Sequence, residues 1–127
     1  METGGFKARS RELSRAALYD AITHALGVPP ERIVNQYGMT ELASQLHDST
    51  LVSPGTPRRK LAPPWLRVRI VDPDTGADVA SGETGAIVLV DLANTGSVVA
   101  IQTADIGRAV ADGIEVLGRA PGAEARG

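Results

Sequence analysis

The sequence predicts an α/β fold in which one N-terminal amphipathic helix and a few short strands lead into a β-rich, barrel-like half. Three observations carry that prediction. A helical apolar period is confined to the front of the chain, short alternating or continuous apolar runs begin at Trp65, and glycine-rich turns separate those runs at regular spacing. With 127 residues, 43% of them hydrophobic, there is apolar material for one core, so the chain reads as one domain. Within it, residues 1–48 form an α/β part, 49–64 a loop and 65–127 a β-rich part.

From Arg11, Leu18, Ala21, Ile22, Ala25 and Leu26 recur at helical spacing and make one apolar stripe, with Ser10 placed to cap the start. Gly27, then Pro29 and Pro30, stops the helix near Leu26: glycine accepts the left-handed conformation and proline cannot continue a helix. Ile33 and Val34 read as a short buried strand running into Asn35 to Glu41, while Thr40 to His47 fits either one helical turn or an ordered loop. Residues 49–64 hold four prolines and a short basic run, about as long a connection as a compact domain carries. Trp65 to Val71 alternates, with Leu66, Val68 and Ile70 on one face and Arg67 and Arg69 on the other, as in a half-buried strand. Asp72 to Gly76 closes it with turn chemistry. After a second turn at Ser81 to Gly85, the continuous apolar run Ala86 to Leu92 suits a strand covered on both faces. Ser97 to Thr103 and Ile114 to Leu117 read as two further strands, the latter entered through a tight turn at Asp112-Gly113.

Composition narrows the function classes. A net charge of -2 and a pI of about 5.6 leave no general electrostatic footprint for nucleic acid or an anionic membrane, and Arg58, Arg59 and Lys60 read as a solvated loop. With no cysteine and only His24 and His47, neither a disulfide framework, a thiolate zinc site nor an all-histidine metal centre is expected; a reducing cytoplasm fits. No window approaches the roughly 20 apolar residues of a membrane span, and METGGFKARSRE has no apolar segment behind its basic residues.

The stretch NQYGMTELASQ, residues 35–45, concentrates chemistry in a chain with two tyrosines. Tyr37 offers a flat face for a planar ring, Gly38 lets a ligand approach the backbone, Thr40 offers a hydroxyl to a phosphate oxygen and Glu41 a hard anionic oxygen to magnesium. That combination suits a nucleotide. The same residues also fit a structural role, with Tyr37 in the core, Gly38 at positive φ in a turn, and Thr40 and Glu41 at the start of a helix.

YGMTE resembles the tyrosine-glycine-x-threonine-glutamate motif of the adenylate-forming acyl ligases, the superfamily of acyl-CoA synthetases, luciferases and nonribosomal adenylation domains. Upstream, Thr3-Gly4-Gly5 resembles the double-glycine turn that lines the acyl and adenine pocket there. Downstream, QTADIG around Asp105 resembles the threonine-x-aspartate motif whose carboxylate holds the ribose hydroxyls, and DGIEVLGR resembles the strand running into a glycine-arginine hinge. The resemblance implies that Gly4, Gly5, Tyr37, Gly38, Thr40, Asp105 and Arg119 bind ATP, that Thr40 and Glu41 form the catalytic pair, and that Glu41 carries Mg2+. Within the superfamily, METGGFK, LAPPWLRVRIVDPDTG, DLANTGSVVAIQTADIGR and LGRAPGAEARG look closest to the acyl-protein synthetases, the long-chain fatty acid to protein ligases associated with bacterial bioluminescence. A fatty acid, ATP and an acyl-acceptor protein are the partners this implies.

The sequence departs from that pattern in three places. No serine, threonine and glycine-rich loop ending in lysine precedes Tyr37, no cysteine is present to carry an acyl group, and Ala120, Pro121 and Gly122 stand where an acidic hinge residue usually follows the glycine-arginine pair. The expectation is a partial adenylation domain, internal to C-terminal in the large domain, whose site is completed by residues it does not hold. Two other readings stay open: a non-catalytic nucleotide- or protein-interaction module, and one half of a split ligase whose front half lies on another chain. The split enzyme predicts an exposed apolar patch of several hundred Å², on the order of what marks an interface.

Overall fold

A computed structural model of the chain describes residues 1–3 and 13–123. Strand β1 (Glu2–Thr3) is followed by helix α1 (Arg15–Leu26), a 3-10 turn at Pro30–Arg32, β2 (Asn35–Tyr37), β3 (Leu46–Asp48), a 3-10 turn at Ser49–Leu51, β4 (Lys60–Leu61), β5 (Leu66–Val71), β6 (Thr84–Asp91), β7 (Ala100–Val110) and β8 (Gly113–Arg119). The strands form one sheet in the order β1-β2-β3-β4-β8-β7-β6-β5. Only β1 and β2 run parallel; every other neighbouring pair is antiparallel. The end strands β1 and β5 do not pair with each other, so the barrel-like closure expected of the β-rich half is not made: the sheet is open.

The helix starts at Arg15 and is capped by Ser14, whose hydroxyl accepts the Ala17 N–H at 3.2 Å; the expected cap, Ser10, lies outside the described residues. Gly27 ends it as expected, at φ 64° with its N–H on the Thr23 carbonyl. The apolar stripe behaves differently from its periodicity. Tyr19 is the buried residue of α1, whereas Ala21 and Ala25 are exposed and Leu26 is 72% exposed. Ile33 is buried as expected, but it closes the Pro30–Arg32 turn, and the strand begins at Asn35.

The β half follows its patterning closely. Leu66 and Ile70 enter the core with Leu46, Ile87, Leu89 and Ile114, and β6 is buried on both faces over most of its length. Strand β7 begins at Ala100 rather than Ser97 and runs on past Thr103 through the QTADIG motif to Val110; Ala111 and Asp112 make the turn, with Ala111 at φ 46°.

The largest correction concerns the basic run, expected to be solvated. Lys60 is 5% exposed. Its backbone pairs with Asp48 of β3 on one side and Ile114 of β8 on the other, so this residue joins the front strands to the β-rich strands. Its Nζ donates to Asp48 Oδ1 at 2.7 Å, to the Asn35 carbonyl at 2.9 Å and to Asn35 Oδ1. Arg58 donates to Asp48 Oδ2 at 2.9 Å and to the carbonyls of Ile33 and Pro30, and lies 4.8 Å over the Tyr19 ring. Tyr19 in turn donates to Glu2 Oε1 at 3.0 Å, which ties α1 to β1. Burial, then the bond to Glu2, pushes the Tyr19 phenol up to about 12. Arg59 pairs with Asp112 in the β7–β8 turn.

One carboxylate thus serves two cations. Burial by itself raises the Asp48 pKa, but the hydrogen bond and charge of Lys60, the Arg58 bond and the Asn35 N–H together hold it below the usual carboxylate range. Lys60 is lowered, because burial outweighs its share of that single carboxylate. A buried ammonium persists only when paired.

Lys60→Met should therefore cost about 3 kcal/mol in urea unfolding, at the low end for breaking a buried pair because Arg58 still faces Asp48. The depressed Asp48 carboxyl contributes stability that is fully present above its unfolded pKa of about 4 and is lost as pH falls through its lower folded value. Melting temperature should fall between about pH 4 and 2 in the wild type, and less steeply in Asp48→Asn.

Candidate functional site

The QTADIG motif sits in a deformed part of the sheet. Ala86 faces Ile106 but Val88 faces Gln102, so Thr103, Ala104 and Asp105 of β7 stand against Ile87 alone. On the other side Ile106 faces Gly118 and Gly107 faces Val116, leaving Leu117 as an extra residue in β8. Bulges of this kind break ladder bonds and re-aim side chains. Thr103 repairs the break: its buried hydroxyl donates to the Ile87 carbonyl at 3.0 Å and accepts the Asp105 N–H at 3.1 Å. The Ala120 N–H takes the Ala104 carbonyl at 2.8 Å. The threonine of the motif thus repairs the β6 side, where the bulge leaves Asp105 without a ladder partner, while Asp105 stays paired with Arg119 of β8.

Asp105 and Arg119 face each other across β7 and β8, with Arg119 Nη1 3.7 Å from Asp105 Oδ1. At the end of β2, Tyr37 reaches over and donates its hydroxyl to Asp105 Oδ2 at 2.7 Å. Three residues that the sequence singled out thus meet at one place, although Tyr37 and Asp105 are 68 positions apart. The Asp105 side chain retains 16% exposure, so the cluster is open to solvent on one side.

Thr40 and Glu41 lie further along, on an exposed turn after Gly38 in which the Leu42 N–H takes the Met39 carbonyl at 3.2 Å. The Thr40 hydroxyl donates to Glu41 Oε2 at 3.2 Å. The two residues do not start a helix, and Gly38 is not at positive φ; a Cβ there would stand 3.0 Å from Gln45 Cγ, a tight contact with an exposed side chain. Met39 and Leu42 pack on the core and hold the turn down from below. Gly4 and Gly5 lie outside the described residues.

Two residues that hold this turn escaped the sequence reading. Asp91, fully buried at the end of β6, accepts the Ser44 N–H at 2.8 Å, the Ser44 hydroxyl at 2.9 Å and the Ala93 N–H at 3.0 Å. Asn94 donates to the carbonyls of Glu41 and Val98 at 2.8 and 2.9 Å. Their signal was a carboxylate ending an apolar run, which local pattern alone reads as a strand terminus. Trp65 adds a bond from its indole N–H to Ser44 Oγ at 2.9 Å, beside an open groove of about 550 Å³ lined by His47, Val52, Leu61 and Pro63.

Among the described residues no three histidine, aspartate or glutamate side chains converge on a point where they could hold a metal. On the turn after Gly38 the donor set is one exposed carboxylate, Glu41, beside the Thr40 hydroxyl. That is the set magnesium uses when substrate phosphates and water complete its octahedron, so Glu41 fits the ion in that limited sense. Among the described residues no helix is long and apolar enough to cross a membrane.

No family model matches the chain, and no curated protein matches it. Solved structures do. The chain is similar to apo MatB from Rhodopseudomonas palustris, at 19% identity and a TM-score of 0.63 over 94% of this chain and 25% of that one. It is similar to the anthranilate CoA ligase AuaEII in complex with anthranoyl-AMP, at 25% identity and a TM-score of 0.55 over 82% and 22%. A luciferase-like enzyme from the nonluminescent mealworm Zophobas morio matches at 21% identity and 0.54, over 87% and 29%. The fold is that of part of an adenylate-forming acyl ligase, and the chain spans about a quarter of the length of these structures.

Thr103→Val, which keeps shape and removes the hydroxyl, should cost about 1–3 kcal/mol in urea unfolding, because the Ile87 carbonyl and Asp105 N–H both lose their partner.

Proposed function

We propose that this chain forms one wall of the nucleotide site of an ATP-dependent acyl-activating ligase. The observation that carries the reading is the meeting of the Tyr37 hydroxyl, the Asp105 carboxylate and the Arg119 guanidinium, in a fold shared with a ligase bound to anthranoyl-AMP. Each group suits one part of an adenylate. The Tyr37 ring stacks on the base, Asp105 accepts from the ribose hydroxyls, and Arg119 donates to ribose or phosphate. Gly38 keeps side chains away from the ligand, the Thr40 hydroxyl donates to a phosphate oxygen, and Glu41 would hold Mg2+. When bound, that ion offsets phosphate charge.

The reaction of such a ligase joins a carboxylate oxygen of the acid to the α-phosphorus of ATP and releases pyrophosphate, giving an acyl-adenylate. In this chain, Thr40 and Glu41 would position the phosphates while Asp105 fixes the ribose, so the α-phosphorus is presented in one orientation. The likeness of METGGFK, DLANTGSVVAIQTADIGR and LGRAPGAEARG to acyl-protein synthetases supports a long-chain fatty acid as the acid and a protein thiol as the acceptor. A reducing, cytoplasmic setting fits the absence of cysteine.

A second reading, in which further polypeptide completes the site by association, is favoured by exposed apolar surface. Leu26, Trp65, Leu92 and Val98 are 72%, 51%, 66% and 60% exposed, and contiguous apolar surface of this kind marks interaction sites. Trp65 and Leu92 do adjoin, through the bond from the Leu92 N–H to the Trp65 carbonyl.

Calorimetric titration with a non-hydrolysable acyl-adenylate analogue and magnesium tests the first reading. Asp105→Ala should weaken binding by about 1–3 kcal/mol, the range for charge-assisted hydrogen bonds, and Glu41→Gln should remove the magnesium dependence. Unchanged affinity in both variants would sink the assignment.

A further inference from the structure

The bond from Tyr37 to Asp105 has no part in stacking. A phenylalanine would present the same ring face, yet the hydroxyl spends its donor on the carboxylate oxygen Oδ2 at 2.7 Å, within the short range of O–H to carboxylate bonds. The Asp105 carboxylate is met from two sides, with Oδ1 facing Arg119 and Oδ2 taking Tyr37, while Thr103 holds the residue's backbone N–H. A carboxylate has about four lone-pair sites. Tyr37 takes one site on Oδ2 and Arg119 faces Oδ1 at 3.7 Å, too far for a hydrogen bond, so each oxygen keeps acceptor capacity and together they form the pair that two adjacent hydroxyls can meet.

We infer that the Tyr37 hydroxyl is a specificity-determining positioning group: by setting the rotation of the Asp105 carboxylate it makes the site read a ribose cis-diol and reject a deoxyribose. This rests on the adenylate reading of the site. It couples base and sugar recognition, because one side chain stacks on the base with its ring and orients the sugar acceptor with its oxygen. Without the hydroxyl, Asp105 turns toward Arg119, where the opposite charge draws it, and presents one oxygen rather than two.

The test uses the full 127-residue chain. AMP and 2′-deoxy-AMP are titrated into wild type and Tyr37→Phe, with amide spectra recorded to establish that both are folded alike. Wild type should bind AMP about tenfold more tightly than 2′-deoxy-AMP, as expected for one lost hydrogen bond to a charged group. In Tyr37→Phe that ratio should fall to about twofold or less, with affinity for 2′-deoxy-AMP nearly unchanged. Tyr37→Trp, which keeps a stacking ring but cannot place a hydroxyl on Asp105, carries the same expectation if the phenylalanine variant does not fold. A merely structural hydroxyl would lower both affinities in parallel and keep the ratio, and that result overturns the inference. So does tighter AMP binding in the variant, which would make the bond a latch that the ribose must displace. Wild type that binds neither nucleotide overturns the site reading itself, and shows it before any variant is made.

Discussion

The buried pair of Lys60 and Asp48 is the constraint on which the rest of this structure depends. These residues face each other across β3 and β4, and the same Lys60 carries the backbone pairing to β8. The two-residue strand β4 is thus the connection between the three front strands and the four long ones. Gly113 marks how close that approach is: a Cβ there would stand 2.4 Å from the Lys60 carbonyl oxygen. Because Asp48 also receives Arg58 and the Asn35 N–H, one carboxylate sets the positions of β2, β3, β4 and the connection before them. Tyr37, two residues beyond Asn35, inherits its place from this cluster.

The candidate site then arises where a well-positioned strand end meets a deformed strand. β2 delivers Tyr37 to the middle of β7, where the bulge frees Asp105 from pairing with β6 while it still faces Arg119 of β8. Deforming a sheet costs backbone hydrogen bonds, and Thr103 and Ala120 restore them. The turn carrying Thr40 and Glu41 is held independently, by Asp91 and Asn94 from the far end of β6. The two groups of site residues are therefore anchored separately, one at the middle of β7 and the other at the C-terminal end of β6, which gives each its own support.

Among the described residues, α1 buries far less than the long strands do. A helix of 12 residues is marginal in water by itself, and among the described residues Tyr19 is its buried side chain, with Leu18 and Ile22 half-buried. Exposed apolar side chains lie both on α1, at Ala21, Ala25 and Leu26, and at one edge of the β-rich half, at Trp65 and Leu92. The same uneven cover is consistent with a fold that occupies about a quarter of MatB and of AuaEII.

Features encoded within a few consecutive residues were legible in the sequence. Gly27 ended the helix, Leu66 and Ile70 entered the core by alternation, Asp72 to Gly76 made its turn, and YGMTE with QTADIG named the residues that meet. Periodicity and turn chemistry are local properties, so reading them needs no knowledge of distant partners. What only the tertiary structure decided depends on residues far apart in the chain. Arg58 and Lys60 look like any solvated basic run until Asp48, Ile33 and Asn35 are folded against them. Asp91 looks like a strand end until Ser44 arrives 47 positions away. The bulge that presents Asp105, and the hydroxyl of Tyr37 that receives it, exist only once β2, β6, β7 and β8 are in register. A charge or hydroxyl does not record its partner in its own neighbourhood, because the energy that selects the pairing is released only when water is removed from both.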